Sequence, residues 1–141
     1  MNHFHRGKAI IFNHQYFDES LGLNDRMGSD VDTNNLKLIL TNLEFEVKVY
    51  NDKSYNKIKN ILEKLSKEDH SNSDCILLVV LSHGDSEILY AEDTVYPRSK
   101  LWRYFTDENC PTLKGKPKIF FIQACQGNKF DSGIQLQNNN R

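Results

Sequence analysis

The sequence predicts an α/β fold: a mostly parallel sheet with helices on both faces, in three layers. Three observations carry this. Short apolar runs of strand length recur at residues 7–12, 45–50, 75–81 and 117–122. Helical periodicity fills the two segments between the first three runs. The third run and the end of the fourth are continuously apolar, as strands buried on both faces are. The order β-α-β-α-β-hairpin-α-β requires right-handed crossovers between parallel neighbours.

Residues 7–12 (GKAIIF) form the first strand, and residues 13–29 form a polar loop that is long for a compact domain. Residues 30–43 read as a helix, with Asp30 and Asp32 as N-cap candidates. Leu36, Ile39, Leu40 and Leu43 lie at i, i+3, i+4 and i+7 on its apolar face. Phe45, Val47 and Val49 alternate with Glu46, Lys48 and Tyr50, which marks a strand near the sheet edge. Ser54 caps a second helix running to about Lys67, whose stripe is Tyr55, Ile58, Ile61, Leu62 and Leu65.

After a polar loop, residues 75–81 make the third strand. Residues 88–90 and 94–96 pair as a small hairpin around Ala91-Glu92-Asp93. Residues 97–105 form a third helix that buries Leu101, Trp102 and Phe105. Residues 117–122 form the fourth core strand, and residues 126–141 lose all periodicity and read as a mobile loop and tail. The fourth strand is as apolar as a central one, yet nothing after it covers its open edge. The expectation is that the chain continues in the native protein or that another chain completes the sheet.

The 141 residues make one domain or a large part of one. A net charge of −1 with interspersed signs leaves no basic stripe for nucleic acid. No run is long enough to span a bilayer, so a membrane is not an expected partner. The amino terminus lacks the apolar core of a signal peptide. Together with an odd set of cysteines, Cys75, Cys110 and Cys125, this predicts a reducing, cytoplasmic setting. His3 and His5 have chelating spacing but no further ligand cluster, so no metal or cofactor is expected. His14 and His70 read as solvated loop residues, Cys75 as a packed strand residue and Cys110 as a loop residue.

Open parallel sheets place their chemistry just outside the carboxyl ends of the strands. Two such ends carry reactive groups: Leu81-Ser82-His83-Gly84-Asp85 and Ile122-Gln123-Ala124-Cys125-Gln126-Gly127. A thiol attacks as the thiolate, and an adjacent imidazole takes or shares its proton. A glycine beside each residue permits close backbone approach, which suits donors for an oxyanion. A lone cysteine at a strand end is usually just packed there. A histidine and a cysteine on adjacent strand ends make a nucleophile and its base the stronger reading. Gln123 precedes Cys125 by two and so shares its face of the strand. Arg26, in the long first loop, reads from pattern alone as a surface arginine.

Residues 122–127 match the signature of the caspases, cysteine peptidases specific for aspartate. His83 precedes Cys125 by somewhat less than the roughly 50 residues typical of that signature. The motifs at residues 26–32, 35–36, 82–84, 115–118 and 131–133 also fall in caspase order. The chain therefore resembles a caspase large catalytic subunit, a single domain over residues 1–134. Residues 73–81 and 90–96 look most like insect effector caspases.

The resemblance implies a cysteine endopeptidase that cuts protein substrates after Asp during apoptosis. It implies Cys125 as nucleophile, His83 as general acid/base, and the N–H groups of Gly84 and Cys125 as oxyanion donors. Arg26 and Gln123 would bind the substrate Asp carboxylate, and the carbonyl of Asn24 would steady His83. It further implies a zymogen and a heterotetramer, in which a small subunit absent here completes the sheet, with inhibitor-of-apoptosis proteins as further partners. No acidic cleavage motif ending in Asp closes this chain. The alternative is a truncated, non-catalytic module that binds and modulates a caspase. A different His-Cys peptidase is weaker still, because a neutral or basic substrate residue needs neither Arg26 nor Gln123.

Overall fold

In the computed structural model, which describes residues 3–126, four strands form one sheet: β1 (His5–Asn13), β2 (Glu46–Asn51), β3 (Ser73–His83) and β6 (Lys118–Cys125). Their order is β2-β1-β3-β6, and every pair is parallel. β4 (Ile88–Tyr90) and β5 (Val95–Pro97) make the separate antiparallel hairpin. The chain belongs to the expected α/β class.

Central position explains composition. β3 lies between β1 and β6, and everything from Asp74 to His83 is buried. β2 takes one edge, as its alternation predicts. β6 takes the other edge, and Ile119 and Phe121 are 41% and 49% exposed despite its apolar composition. β6 also runs further than the apolar run suggests, because its ladder with β3 continues through Gln123↔Leu81, Ala124↔Ser82 and Cys125↔His83.

Helices cover both faces. α2 (Tyr55–Ser66) starts on Ser54, whose hydroxyl accepts the Lys57 N–H, and buries Ile58, Leu62 and Leu65. These side chains meet Ile10, Phe12, Ile76, Leu78 and Val80 from the sheet, together with Phe105 and Leu113. Each such fully buried side chain stabilises the fold by about 1.5–3 kcal/mol. On the opposite face, α1 (Ser29–Asn42) sets Leu40 and half-buried Leu36 against Ala9, Ile11, Leu77, Val79 and Leu81.

Several expectations change. Neither Asp30 nor Asp32 caps α1. Gly28 stands at the N-cap with φ 81°, a left-handed conformation open to glycine, and both aspartates lie in the first turn, where they favour the helix dipole. The buried line of α1 is Ser29, Thr33 and Leu40, so Ile39 and Leu43 are more than half exposed. A helix resting alone on a sheet buries a narrower stripe than its composition offers.

The third helix is a single turn, α3 (Ser99–Trp102), tightening into 3₁₀ geometry over Arg103–Phe105. That change rotates Trp102 outward, to 44% exposure, while Leu101 and Phe105 stay buried. His14 and His70 are buried, not solvated, and Cys110 is fully buried. His70 Nε2 lies 2.8 Å from the Leu65 carbonyl, which its ring N–H satisfies where the helix ends. His3 contacts Asp74 at 3.0 Å, and no cluster that could hold a metal occurs among the described residues. No described helix is long and apolar enough to cross a membrane. Apart from Gln126, the expected mobile loop and tail lie outside the described residues, as does Gly127.

Candidate active site

The carboxyl ends of β1, β3 and β6 line one rim of the sheet. Because side chains alternate and the strands are parallel, register decides who shares a face. Asn13 pairs with Leu81 and Leu81 with Gln123, while His83 pairs with Cys125. The α1 face therefore presents Asn13, Leu81, His83, Gln123 and Cys125 in adjoining rows. Neighbouring strands stand about 4.8 Å apart, which puts the His83 and Cys125 side chains within reach of one another.

His83 is 5% exposed and held at both ring nitrogens. Nε2 lies 2.8 Å from the Asn24 carbonyl and Nδ1 lies 3.1 Å from the Cys125 carbonyl. Carbonyl oxygens only accept, so both contacts are satisfied together only when both ring nitrogens carry protons. The Asn24 contact is the one that the family resemblance implied. The Cys125 thiol is free and exposed.

Gly84 follows His83 with no room for a side chain, since a Cβ there would overlap the Ile88 carbonyl oxygen. Its N–H donates to the Cys125 carbonyl at 3.0 Å. The ladder between β3 and β6 thus runs to its last rung and occupies the group expected to face an oxyanion.

Arg26 is half-buried, not a free surface arginine. Its Nη1 donates to the carbonyls of His14 and Leu81 at 2.7 and 3.2 Å and to Asn13 Oδ1 at 3.3 Å. Burial lowers the guanidinium below its ordinary value, while the thiolate form of Cys125 and the Asp32 carboxylate act in the opposite sense. Arg26 and Cys125 therefore lie within each other's field. The fork's remaining nitrogens have no partner among the described residues. Gln123 is exposed one pair along the strand from Cys125.

The arrangement offers a thiol, an imidazole beside it and a cation anchored at one nitrogen. Sequence reasoning missed the groups that hold them. Asn13 bonds Arg26 Nη1 through Oδ1 and reaches Asn51 Oδ1 at 3.2 Å through its amide. Phe17 lies 5.0 Å from the His83 ring, centroid to centroid. The position of Asn13-His14 at the carboxyl end of the first strand was the available signal, by the same rule that singled out His83 and Cys125.

Known proteins bear on this geometry. The Caspase domain family matches residues 6–141. Caspase-1 of Spodoptera frugiperda is 50% identical over 136 residues, 96% of this chain and 45% of that protein. Caspase drICE of Drosophila melanogaster is 47% identical over 137 residues, 97% of this chain and 40% of that protein. The solved structure of pro-sf-caspase-1 superposes with a TM-score of 0.87 at 49% identity, covering 96% of this chain and 52% of that one. The chain spans about half the length of the relatives it matches. The sheet order, the paired strand ends and these likenesses lead to one conclusion: the chain belongs to the caspase family.

Proposed function

We propose that this chain is the large part of a cysteine endopeptidase that hydrolyses protein substrates after Asp. The observation that carries the reading is the His83↔Cys125 pairing at the ends of adjacent parallel strands, with Arg26 anchored in the same rim. Cys125 attacks the scissile carbonyl as thiolate, and the new C–S bond leaves a tetrahedral oxyanion. The N–H groups of Gly84 and Cys125 receive that charge once Gly84 releases the Cys125 carbonyl. His83, steadied by Asn24, protonates the departing amine, and the C–N bond breaks. Water, deprotonated by the same imidazole, then cleaves the thioester and restores the thiol. The free nitrogens of the Arg26 fork bind the substrate carboxylate, and the Gln123 amide adds a donor.

A small subunit completes the unit, as a dimer of large–small heterodimers made from a zymogen. The exposed Ile119 and Phe121 support this, as does the unpaired edge of β6 among the described residues. Relatives about twice as long as this chain support it as well. The chain alone is then inactive. Its substrates are intracellular proteins cut during apoptosis, and inhibitor-of-apoptosis proteins are its regulators.

The test is specificity in the processed full-length protein. Arg26→Ala should lower kcat/KM for an Asp-terminated peptide by roughly 100-fold, the cost of leaving a desolvated carboxylate without its cation. Melting should fall far less than activity does, by the cost of the three acceptors that Nη1 leaves unpaired, and Cys125→Ala should abolish turnover. Undiminished Asp cleavage by Arg26→Ala would refute the specificity assignment. Activity surviving Cys125→Ala would instead favour a binding module that modulates another caspase.

A further inference from the structure

We infer that Phe17, backed by His14, is a positioning residue for His83: an aromatic shelf that holds the imidazole flat against the rim while it carries a second proton. This rests on the catalytic reading of His83 above and names a group that reading does not contain.

His83 is fixed at its edges by two carbonyl oxygens, one at each nitrogen. Those contacts restrain the ring within its own plane but leave tilt out of that plane unopposed. Phe17 supplies the missing restraint. Its ring lies 5.0 Å from the His83 ring, inclined at 32°. That places an aromatic face against the imidazole, where a protonated ring gains from the face's negative quadrupole.

Behind Phe17 lies His14, at 6.1 Å and 26°. The His14 side chain is wholly enclosed, and neither ring nitrogen has a hydrogen-bond partner among the described residues. Buried polar atoms are normally satisfied, so this exception calls for a reason. A ring that makes no hydrogen bonds contributes only its flat surface, and that surface faces Phe17. Burial pushes His14 down to about 4, so it stays uncharged near neutrality and does not set a second cation behind the shelf.

The shelf is anchored to fixed parts of the fold. The N–H groups of Gln15 and Tyr16 both donate to Asp52 Oδ1, at 2.7 and 3.0 Å. The His14 N–H donates to the Leu81 carbonyl at 2.9 Å, and the Asp18 N–H to the Glu92 carbonyl at 2.9 Å. The His14 carbonyl itself receives Arg26 Nη1. One four-residue segment thus touches the base, through Phe17, and the arginine, through His14. Such pre-set geometry lowers the barrier only if it does not move during turnover.

The experiment uses the processed full-length protein. Phe17→Leu keeps an apolar side chain of similar bulk and removes the aromatic face. It should lower kcat on an Asp-terminated peptide roughly tenfold, within the range that small misplacements of catalytic groups produce, with KM and melting temperature unchanged. Phe17→Tyr should restore kcat to within about threefold. A Phe17→Leu enzyme with wild-type kcat, or one impaired only in KM, would overturn the inference, as would a failure of Phe17→Tyr to restore it.

Should Phe17→Leu melt early, the His83 ring protons decide. Assigned by their loss in His83→Ala, they should resonate upfield in wild type and in Phe17→Tyr, and unshifted positions would equally overturn the shelf. His83→Ala separates the two levels of argument. If it keeps activity, the catalytic reading fails. If it loses activity while Phe17→Leu does not, only the shelf fails.

Discussion

On the α2 side of the sheet, fifteen buried residues form one continuous cluster that draws on β1, α2, β3, the hairpin and the turns up to Leu113. On the α1 side, six do so, five from the sheet and only Leu40 from the helix. The thick face is closed and apolar throughout. The thin face is apolar for two thirds of its length and then turns polar, with Asn13, His83, Gln123 and Cys125 in adjoining rows at the carboxyl ends. Strand alternation sends every second residue to each face, so one segment such as residues 76–83 serves both purposes. Ile76, Leu78 and Val80 hold the fold, while Leu77, Val79 and Leu81 lead out to His83. On the proposed catalytic reading, chemistry sits on the thin face, where a nucleophile can meet substrate, and a face packed by two layers of side chains admits none.

The largest effect that would sharpen this contrast is Phe105→Ala on the thick side. Phe105 is 1% exposed and in ring contact with Phe120. Its loss should cost about 3–5 kcal/mol in denaturant unfolding, the usual range for an enclosed aromatic. A cost below 1 kcal/mol would mean that the thick face does not carry the stability.

Next comes His14, at the end of β1. Its folded value lies near 4 against 6.5 for the free group, lowered first by burial, with Arg26 acting the same way and Asp52 opposing. The unfolded chain therefore binds the extra proton first as pH falls. This stability contribution is complete above pH 6.5 and fades as pH drops toward 4, by roughly 3 kcal/mol in all. Unfolding measured from pH 7 to 4.5 should show a steeper loss in wild type than in His14→Phe, and parallel curves would contradict it.

The smallest effect belongs to the outer part of the thin face. Phe121→Ser should lower the stability of the isolated chain by only about 1 kcal/mol, since that ring is half in solvent. In the assembled protein the same change should weaken association of the two parts, measured as their dissociation constant. Strong destabilisation of the isolated chain would show that the open face is already covered.

Legibility in the sequence followed the same division. On the thick face, Ser54 as cap and the stripe of α2 were read correctly, and the apolar run at residues 75–81 lies inside a strand two residues longer at each end. The apolar side of α2 has one partner surface and β3 is buried on both faces, so a helical stripe and a continuous apolar run locate them. α1 was found, but its buried line was not, because only the sheet beneath it selects which apolar side chains turn inward. Trp102 went astray for a related reason: a turn of 3₁₀ geometry changes the angle per residue, and nothing local announces it.

At the site, His83, Cys125, Gly84 and Gln123 were visible because a strand end is a short, fixed address. Asn24 and the role of Arg26 came through likeness to a family. The burial of His14 and the contact of Phe17 with His83 came through neither, since loop residues meet their neighbours only after the chain has closed on itself.

The sequence by itself determined the strands, their parallel connection, the main helices and the strand ends that carry a histidine and a cysteine, because alternation and periodicity are local properties of the chain. The tertiary structure decided which face the His83 and Cys125 ends share with Asn13, and that Arg26 and His83 are held by backbone carbonyls from distant segments. Register and loop closure depend on contacts between residues far apart in sequence, and no local pattern encodes them.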